Sequence, residues 1–428
     1  MEQNDNTNSG ILYTERNAGE RPEQPGAKTW QVALLMLMSA ALAAAAVVLV
    51  LSLGTKKYIL VDRQSDTDAT LISELLTDIK KYYYFSDEAP TSEKLLEDAA
   101  HAVVNGVGDP YAAYYTEEEF NSFRDNMNGN YKGIGVLVSS EEGRGLYVNR
   151  AYEDNPAYKA GVRDGDYIIE VDGTSVIDMD VNEASALIAG EDGSTVKLRI
   201  VRGDETLELA VQRGDVYVKR VYTEMLEDGI GYLRIDSFTG EADTEFDAAL
   251  DELLESGIKA LVIDVRDNPG GELTKVINIA DRILPECTIT TLEGKLVDPP
   301  KVYSSTDEKK LEIPYVVLTN GDSASASEIF ASAVQDNAQA KILGTKTFGK
   351  GIVQTTWEFS EGNFIKLTTD VYLTPNGRMI HGIGVEPDIT VEQNEELAGV
   401  DIFFIRRDMP EKDIQVIRAV ELIKESIG

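Results

Sequence analysis

The segment "ALVIDVRDNPGG", residues 260–271, is a nearly continuous apolar run that ends in a glycine-rich turn. A strand that is apolar on both faces needs cover on both faces, which helices packed on a sheet supply. Its neighbours repeat the theme. "IGYLRIDSF" (230–238) and "YVVLTN" (315–320) read as strands, while "EADTEFDAALDELLESG" (241–257), "TKVINIADRIL" (274–284) and "SEIFASAVQDN" (327–337) carry apolar residues at helical spacing. Strands alternating with helices imply crossover connections, so residues 216–395 are expected to form an α/β core. Ligands of such sheets sit outside the carboxyl ends of strands, where "DNPGG" and "GDSASAS" both fall.

The rest of the chain has other textures, so the expected fold is a multidomain mixture of α/β and α+β parts. Residues 1–30 are polar and read as a disordered tail. No charge occurs from Val32 to Gly54, a length that can cross a hydrocarbon core. Residues 31–54 are therefore expected to be a transmembrane signal anchor, with a cleaved signal peptide as the alternative. Basic residues flank this run evenly, Arg16, Arg21 and Lys28 before it and Lys56, Lys57 and Arg63 after it, so they do not orient it. Residues 66–125 read as a helical segment, broken at Pro110 and restarted at Thr116, where Glu119 completes a capping-box pattern. Residues 131–213 show short strands set apart by glycine and aspartate, a small β-barrel pattern. Residues 396–428 end in an amphipathic helix that either caps the core or mediates self-association.

Charge and cysteine content narrow the function. The 75 acidic and 40 basic residues leave a formal charge of −35, so no basic surplus exists to neutralise nucleic-acid phosphates. One cysteine, Cys287, excludes an intrachain disulfide and a thiolate metal cluster. No HExxH, Walker loop or CxxC is present, and no cofactor is expected.

The stretch "GDSASASEIF" (321–330) puts three serines on alternate positions before an apolar helix. Ser325 followed by Glu328 is a capping box. The same helix start offers free amides and a positive dipole end, which suit an oxyanion. Cap and nucleophile cannot be told apart without a base. Only two histidines exist, His101 and His381, and a Ser-His-Asp arrangement through His381 lacks GxSxG around the serines. In "TFGKGIVQTTWEF" (347–359) the alternation reads as a strand with Lys350, Ile352 and Gln354 on one face. A buried lysine can be neutral near pH 7 and accept a serine's proton.

Two resemblances bear on these residues. "YKGIGV" followed by "NPAYKAGVRDGDYIIEVDGTSV" resembles a PDZ domain. That implies a loop of Gly133, Ile134, Gly135 and Val136 offering amides to a peptide's terminal carboxylate, the peptide then adding as a strand beside helix 181–189. "GDSASASEIF", the lysine 25 residues past the middle serine, Gln354, "DPYAAYYTEEEF", "VIDVRDNPGGEL" and "GIGVEPDI" together resemble the carboxyl-terminal processing peptidases of the Ser-Lys type, family S41, in the family's order from about residue 70 to 395. The resemblance implies Ser325 as nucleophile, Lys350 as general base and Gln354 as its orienting residue. It also implies oxyanion donors at Ala326 and at Gly270 or Gly271, of which Gly270 is favoured. Ser323 and Ser327 are then structural. The expected protein is a homodimeric serine endopeptidase of the cell membrane, single-pass through residues 32–54, with its protease domain extracytoplasmic. It cleaves proteins and peptides with free carboxyl termini. The alternatives are an inactive PDZ scaffold and a broader hydrolase on the same fold.

Overall fold

The apolar strand at Ala260–Asp264 is buried along its whole length, as is its neighbour Tyr315–Thr319. The computed structural model describes residues 63–85, 90–128, 130–306 and 310–427. The two strands lie side by side and parallel in a six-stranded sheet whose order is Val221–Met225, Ile230–Ile235, Ala260–Asp264, Tyr315–Thr319, Lys341–Gly344 and Ile389–Thr390. Only the first pair is antiparallel. Alternate residues serve two cores. Leu233, Ile235, Leu261 and Ile263 pack with Phe246, Val276, Ile279 and Phe330 of the helices Ala242–Glu255, Leu273–Ile283 and Ala326–Asp336. On the other face Tyr232, Val262 and Leu318 pack with Val416, Ala419 and Ile423 of the helix Ile414–Ile427. The terminal amphipathic helix thus covers the sheet, the first of its two expected roles.

A second sheet was only half legible. Ile352–Ser360 and Asn363–Leu373 form its hairpin, and Thr288–Gly294 and Lys301–Ser304 extend it. Ala113–Thr116 joins as a strand opposite Asn363–Lys366, where the sequence pattern anticipated a break between helices. The tyrosines of this strand are half-buried or buried on the sheet, a tertiary demand that outweighs local propensity.

Residues 136–212 form a separate six-stranded sheet around their own core of Ile134, Leu146, Val148, Ile168, Leu198 and Ile200. Val136–Glu141 is its edge strand, with Val181–Ile188 the longer of its two helices. Asn130–Gly133 pairs with Gly214–Tyr217 where the chain enters and leaves this unit.

The chain divides at residue 95 into two units. In the first, the helix Arg63–Tyr82 carries Leu71, Leu75 and Ile79 exposed at four-residue spacing. The expected membrane protein is corrected here. No helix among the described residues is long and apolar enough to cross a membrane. The helix Arg63–Tyr82 has the length, but Glu74, Asp78, Lys80 and Lys81 interrupt its apolar residues. Residues 1–30 and 31–54, the expected tail and anchor, lie outside the described residues. The single-pass cell-membrane location is withdrawn.

One buried charge cluster fastens the last helix to the strand end. Arg266, fully buried, pairs through its guanidinium with Asp264 and with Asp413, 2.8 Å away, and also meets Gln415 at 2.8 Å. Tyr232 donates to Asp264 at 2.6 Å. Removing one partner of such a cluster strands a charge in low dielectric. Asp413→Ala is expected to lose about 3–5 kcal/mol of stability in urea denaturation; a loss below about 1 kcal/mol would show that the cluster does not hold the helix.

Candidate active site

Because Ala260–Asp264 and Tyr315–Thr319 are adjacent and parallel, the loops at their carboxyl ends meet. These loops carry residues 265–271 and 320–325. Two of the three alternating serines sew them together. Ser323 Oγ donates to the Val265 carbonyl at 2.7 Å, and Ser327 Oγ donates to that of Asn268 at 2.8 Å. Both side chains are fully buried. Ser325, between them, is only half-buried and lines a cavity of about 780 Å³. Its backbone has φ 53° and ψ −112°, a strained conformation that costs a non-glycine residue on the order of 1–3 kcal/mol. Alternation therefore sorts the serines into two structural ones and one that faces the cavity.

The same cavity is lined by Lys350, Gln354, Gly270, Gly271 and Ala326. Lys350 lies two residues ahead of the expected element, since the strand begins at Ile352. The pairing slips between Val353 and Gln354, so strict alternation does not carry through this stretch. Gly351 lies against the His381 backbone, where a Cβ would come within 2.5 Å of the amide nitrogen. Gln354 donates its amide to Thr368 Oγ1 at 3.2 Å, so its held orientation comes from that threonine. His381 is exposed and does not line the cavity. His101 pairs with Glu119 at 3.5 Å.

Glu328 does more than cap the helix. Its carboxylate is fully buried and accepts from the Ser325 amide at 2.9 Å. It also accepts from Thr347 Oγ1 at 2.6 Å, the Gly349 amide at 2.8 Å and the Lys350 amide at 2.7 Å. One carboxylate thus joins the backbone of Ser325 to that of Lys350. Tyr372 makes the second tie, its buried hydroxyl reaching the Ser325 carbonyl at 2.9 Å and the Lys350 carbonyl. Burial, with Glu328 nearby, holds that phenol well above its ordinary pKa and keeps it a donor. The sequence offered one signal for Glu328, the capping box with Ser325. Its reach to Thr347, Gly349 and Lys350 had none.

Lys350 has its ammonium 4.1 Å from the centre of the Tyr111 ring. Burial lowers its pKa from the ordinary 10.5, the charge of Lys366 lowers it further, and Asp109 opposes both. Tyr111 and Asp109 come from the "DPYAAYY" stretch, so this segment contributes to the site.

The three amides expected to meet an oxyanion differ in what they bond. The Gly270 amide donates to Asn268 Oδ1 at 2.9 Å and is thus engaged within its own loop. The amides of Gly271 and Ala326 have no hydrogen-bond partner among the described residues. Gly270 still shapes the site. At φ 103° its missing Cβ would lie 2.8 Å from Ser325 Cβ and 2.7 Å from the Ala324 carbonyl oxygen. Gly270→Ala is expected to push Ser325 out of place and cut kcat by about 100-fold; a kcat within about threefold of wild type would show that the loop absorbs the methyl group.

In the outer sheet, the Gly133–Val136 loop turns at Gly135, φ 76°. The Ile134 carbonyl accepts from the Ala157 amide at 2.7 Å, which fixes the loop against the short helix Pro156–Ala160.

Comparison with known proteins bears on this arrangement. Residues 229–391 match the model of peptidase family S41, and residues 147–202 match a PDZ domain model. The carboxy-terminal processing protease CtpA of Bacillus subtilis is 35% identical over 329 residues, 76% of this chain and 70% of its own. The carboxy-terminal-processing protease of Bartonella bacilliformis is 34% identical over 375 residues, 79% of this chain and 85% of its own. Among solved structures, the photosystem II D1 C-terminal processing protease aligns over 79% of this chain and 96% of its own, at 27% identity and a TM-score of 0.47. At a third of residues identical across most of both chains, the protein belongs to the carboxyl-terminal processing peptidases of family S41, serine-type peptidases that carry a PDZ domain.

Proposed function

We propose that this peptidase cleaves its substrates through an acyl-enzyme formed on Ser325, with Lys350 as the base. The observation that carries the reading is that both residues line one cavity and are joined, backbone to backbone, by Glu328. Ser325 Oγ attacks the peptide carbonyl as Lys350 takes its proton, and the ammonium so formed returns that proton to the leaving amine. The amides of Ala326 and Gly271 receive the oxyanion. Water then hydrolyses the ester. Gln354 acts at one remove, by holding Thr368, whose side chain hydrogen-bonds Asp109 near Lys350.

The PDZ domain selects the substrate's carboxyl terminus. The carboxylate is taken by the amides of the Gly133–Val136 loop, and the tail pairs with the free edge of Val136–Glu141 beside the helix Val181–Ile188. The substrates are accordingly proteins and peptides with free carboxyl termini. The enzyme works as a homodimer, which gives the exposed stripe of Leu71, Leu75 and Ile79 a partner. Sedimentation of the full chain at twice the monomer mass is expected, and a monomer removes the dimer from the reading.

Ser325→Ala and Lys350→Ala are each expected to lose cleavage by at least about 1000-fold while keeping the wild-type melting transition. Retained cleavage in Ser325→Ala would overturn the assignment. The pH profile gives a second check. Only neutral Lys350 accepts a proton, so kcat/KM rises as pH climbs through its pKa, at a point below 10.5. Asp109 favours the charged lysine. Asp109→Asn should therefore move the rising limb to lower pH, and a shift to higher pH would contradict this electrostatic account.

A further inference from the structure

We propose that Lys366 forms a subsite of the catalytic cleft that takes a carboxylate of the substrate, either an aspartate or glutamate side chain near the cleaved bond or the free carboxyl terminus. The inference rests on the reading of Ser325 and Lys350 as the reacting pair. Lys366 lines the same cavity and is half-buried. Its ammonium donates to the Tyr115 hydroxyl at 2.9 Å and lies 4.8 Å from the centre of the Phe123 ring and 5.4 Å from that of Tyr115. Ring faces and one hydroxyl hold the cation in position without neutralising it.

No carboxylate lies within ion-pair distance of Lys366 among the described residues. Lys275, also half-buried, by contrast lies 2.8 Å from Asp243. The charged residues lining the cavity are Lys350, Lys366 and Glu272. With Lys350 neutral as the base, Lys366 is the cation left to meet substrate. A partly desolvated ammonium without a counterion favours any carboxylate that reaches it.

Register shows how a substrate reaches Lys366. Among the described residues, Ile352–Ser360 pairs only with Asn363–Leu373 and leaves its other edge open. Ile352, Gln354 and Thr356 line the cavity in succession, and Thr356 lies opposite Lys366. A peptide lying along this edge from Ser325 passes Lys366 within a few residues of the cleaved bond, at about 3.3 Å per residue.

The test uses the full chain and matched peptides. One glutamate is walked through four positions on either side of the cleaved bond, each peptide with a glutamine twin, and one further pair compares a free with an amidated carboxyl terminus. Lys366 also lowers the pKa of Lys350, so substitutions there alter turnover of every peptide. The ratio of kcat/KM within a pair cancels that effect. Wild type is expected to favour the carboxylate by about tenfold in one pair. That ratio should fall to about one in Lys366→Met and persist in Lys366→Arg. The pair that responds identifies the side chain or the terminus as the source. Wild type with no pair above about twofold, or Lys366→Met with its ratio intact, would overturn the proposal. If Lys366→Met does not fold, raising salt from about 50 to about 500 mM must shrink the wild-type ratio, and an unchanged ratio overturns it. Ser325→Ala is run alongside: cleavage by that variant removes the reacting pair, whereas flat ratios in an enzyme silenced by it remove only the Lys366 subsite.

Discussion

The site depends on a single buried carboxylate. Glu328 has four donors around it, from Ser325, Thr347, Gly349 and Lys350. A carboxylate taken wholly out of water is tolerated when every lone-pair direction is met, and here the donors are mostly backbone amides that cannot swing away. The same contacts hold the start of the helix Ala326–Asp336 against the loop that bears Lys350. Ser325 and Lys350 are therefore positioned by one group. Tyr372 adds a neutral tie between the same two backbones. Rigidity of this kind is what sustains the strained φ of Ser325, since an isolated turn would relax it.

Around this clamp the sheet supplies the scaffold. Two fully buried parallel strands end side by side, and their loops exchange hydrogen bonds through Ser323, Ser327 and Asn268. Asp267 extends the exchange. Its backbone amide and its side chain both meet Asn320, and its other oxygen accepts from the Ile402 amide at 2.8 Å. Arg266, next in line, is locked by Asp413 ahead of the final helix. The glycine loop at 270–271 is thus held from the sheet, from the serine loop and from the carboxyl-terminal segment at once. Burying so much charge is costly, and the benefit is placement: each side chain has one set of partners that satisfies it.

The surroundings of the two lysines come from far away in sequence. Asp109, Tyr111, Tyr115 and Phe123 surround the two lysines of the cavity with one acid and three rings. Rings hold an ammonium without supplying a counterion, so both lysines keep a use for their nitrogen. For Lys350 the outcome is a lowered pKa, with burial the larger cause and the neighbouring cation the smaller.

Much of the scaffold was legible in the amino-acid order. Unbroken apolar strands alternating with helices could be satisfied only by a covered parallel sheet, and the turns after those strands marked the site. That inference works because periodicity records which neighbours along one element share a face. Spacing also singled out Ser325 and Lys350, although only resemblance to a family tied them together. The partners of these residues were not legible. Gln354 turning to Thr368, Asn268 engaging the Gly270 amide, and Glu328 reaching past its own helix all follow from the meeting of segments remote in the chain. So does the extended course of Ala113–Thr116, which makes a sheet strand of what read only as a break between helices. Tyr111 and Lys350 lie more than two hundred residues apart, and no local pattern encodes such a contact, because neither residue's own element requires it. The sequence by itself determined the strands and helices of the covered sheet and the turns in which those strands end. Tertiary packing alone decided which polar groups meet there, since that depends on how the ends of several elements come together in three dimensions.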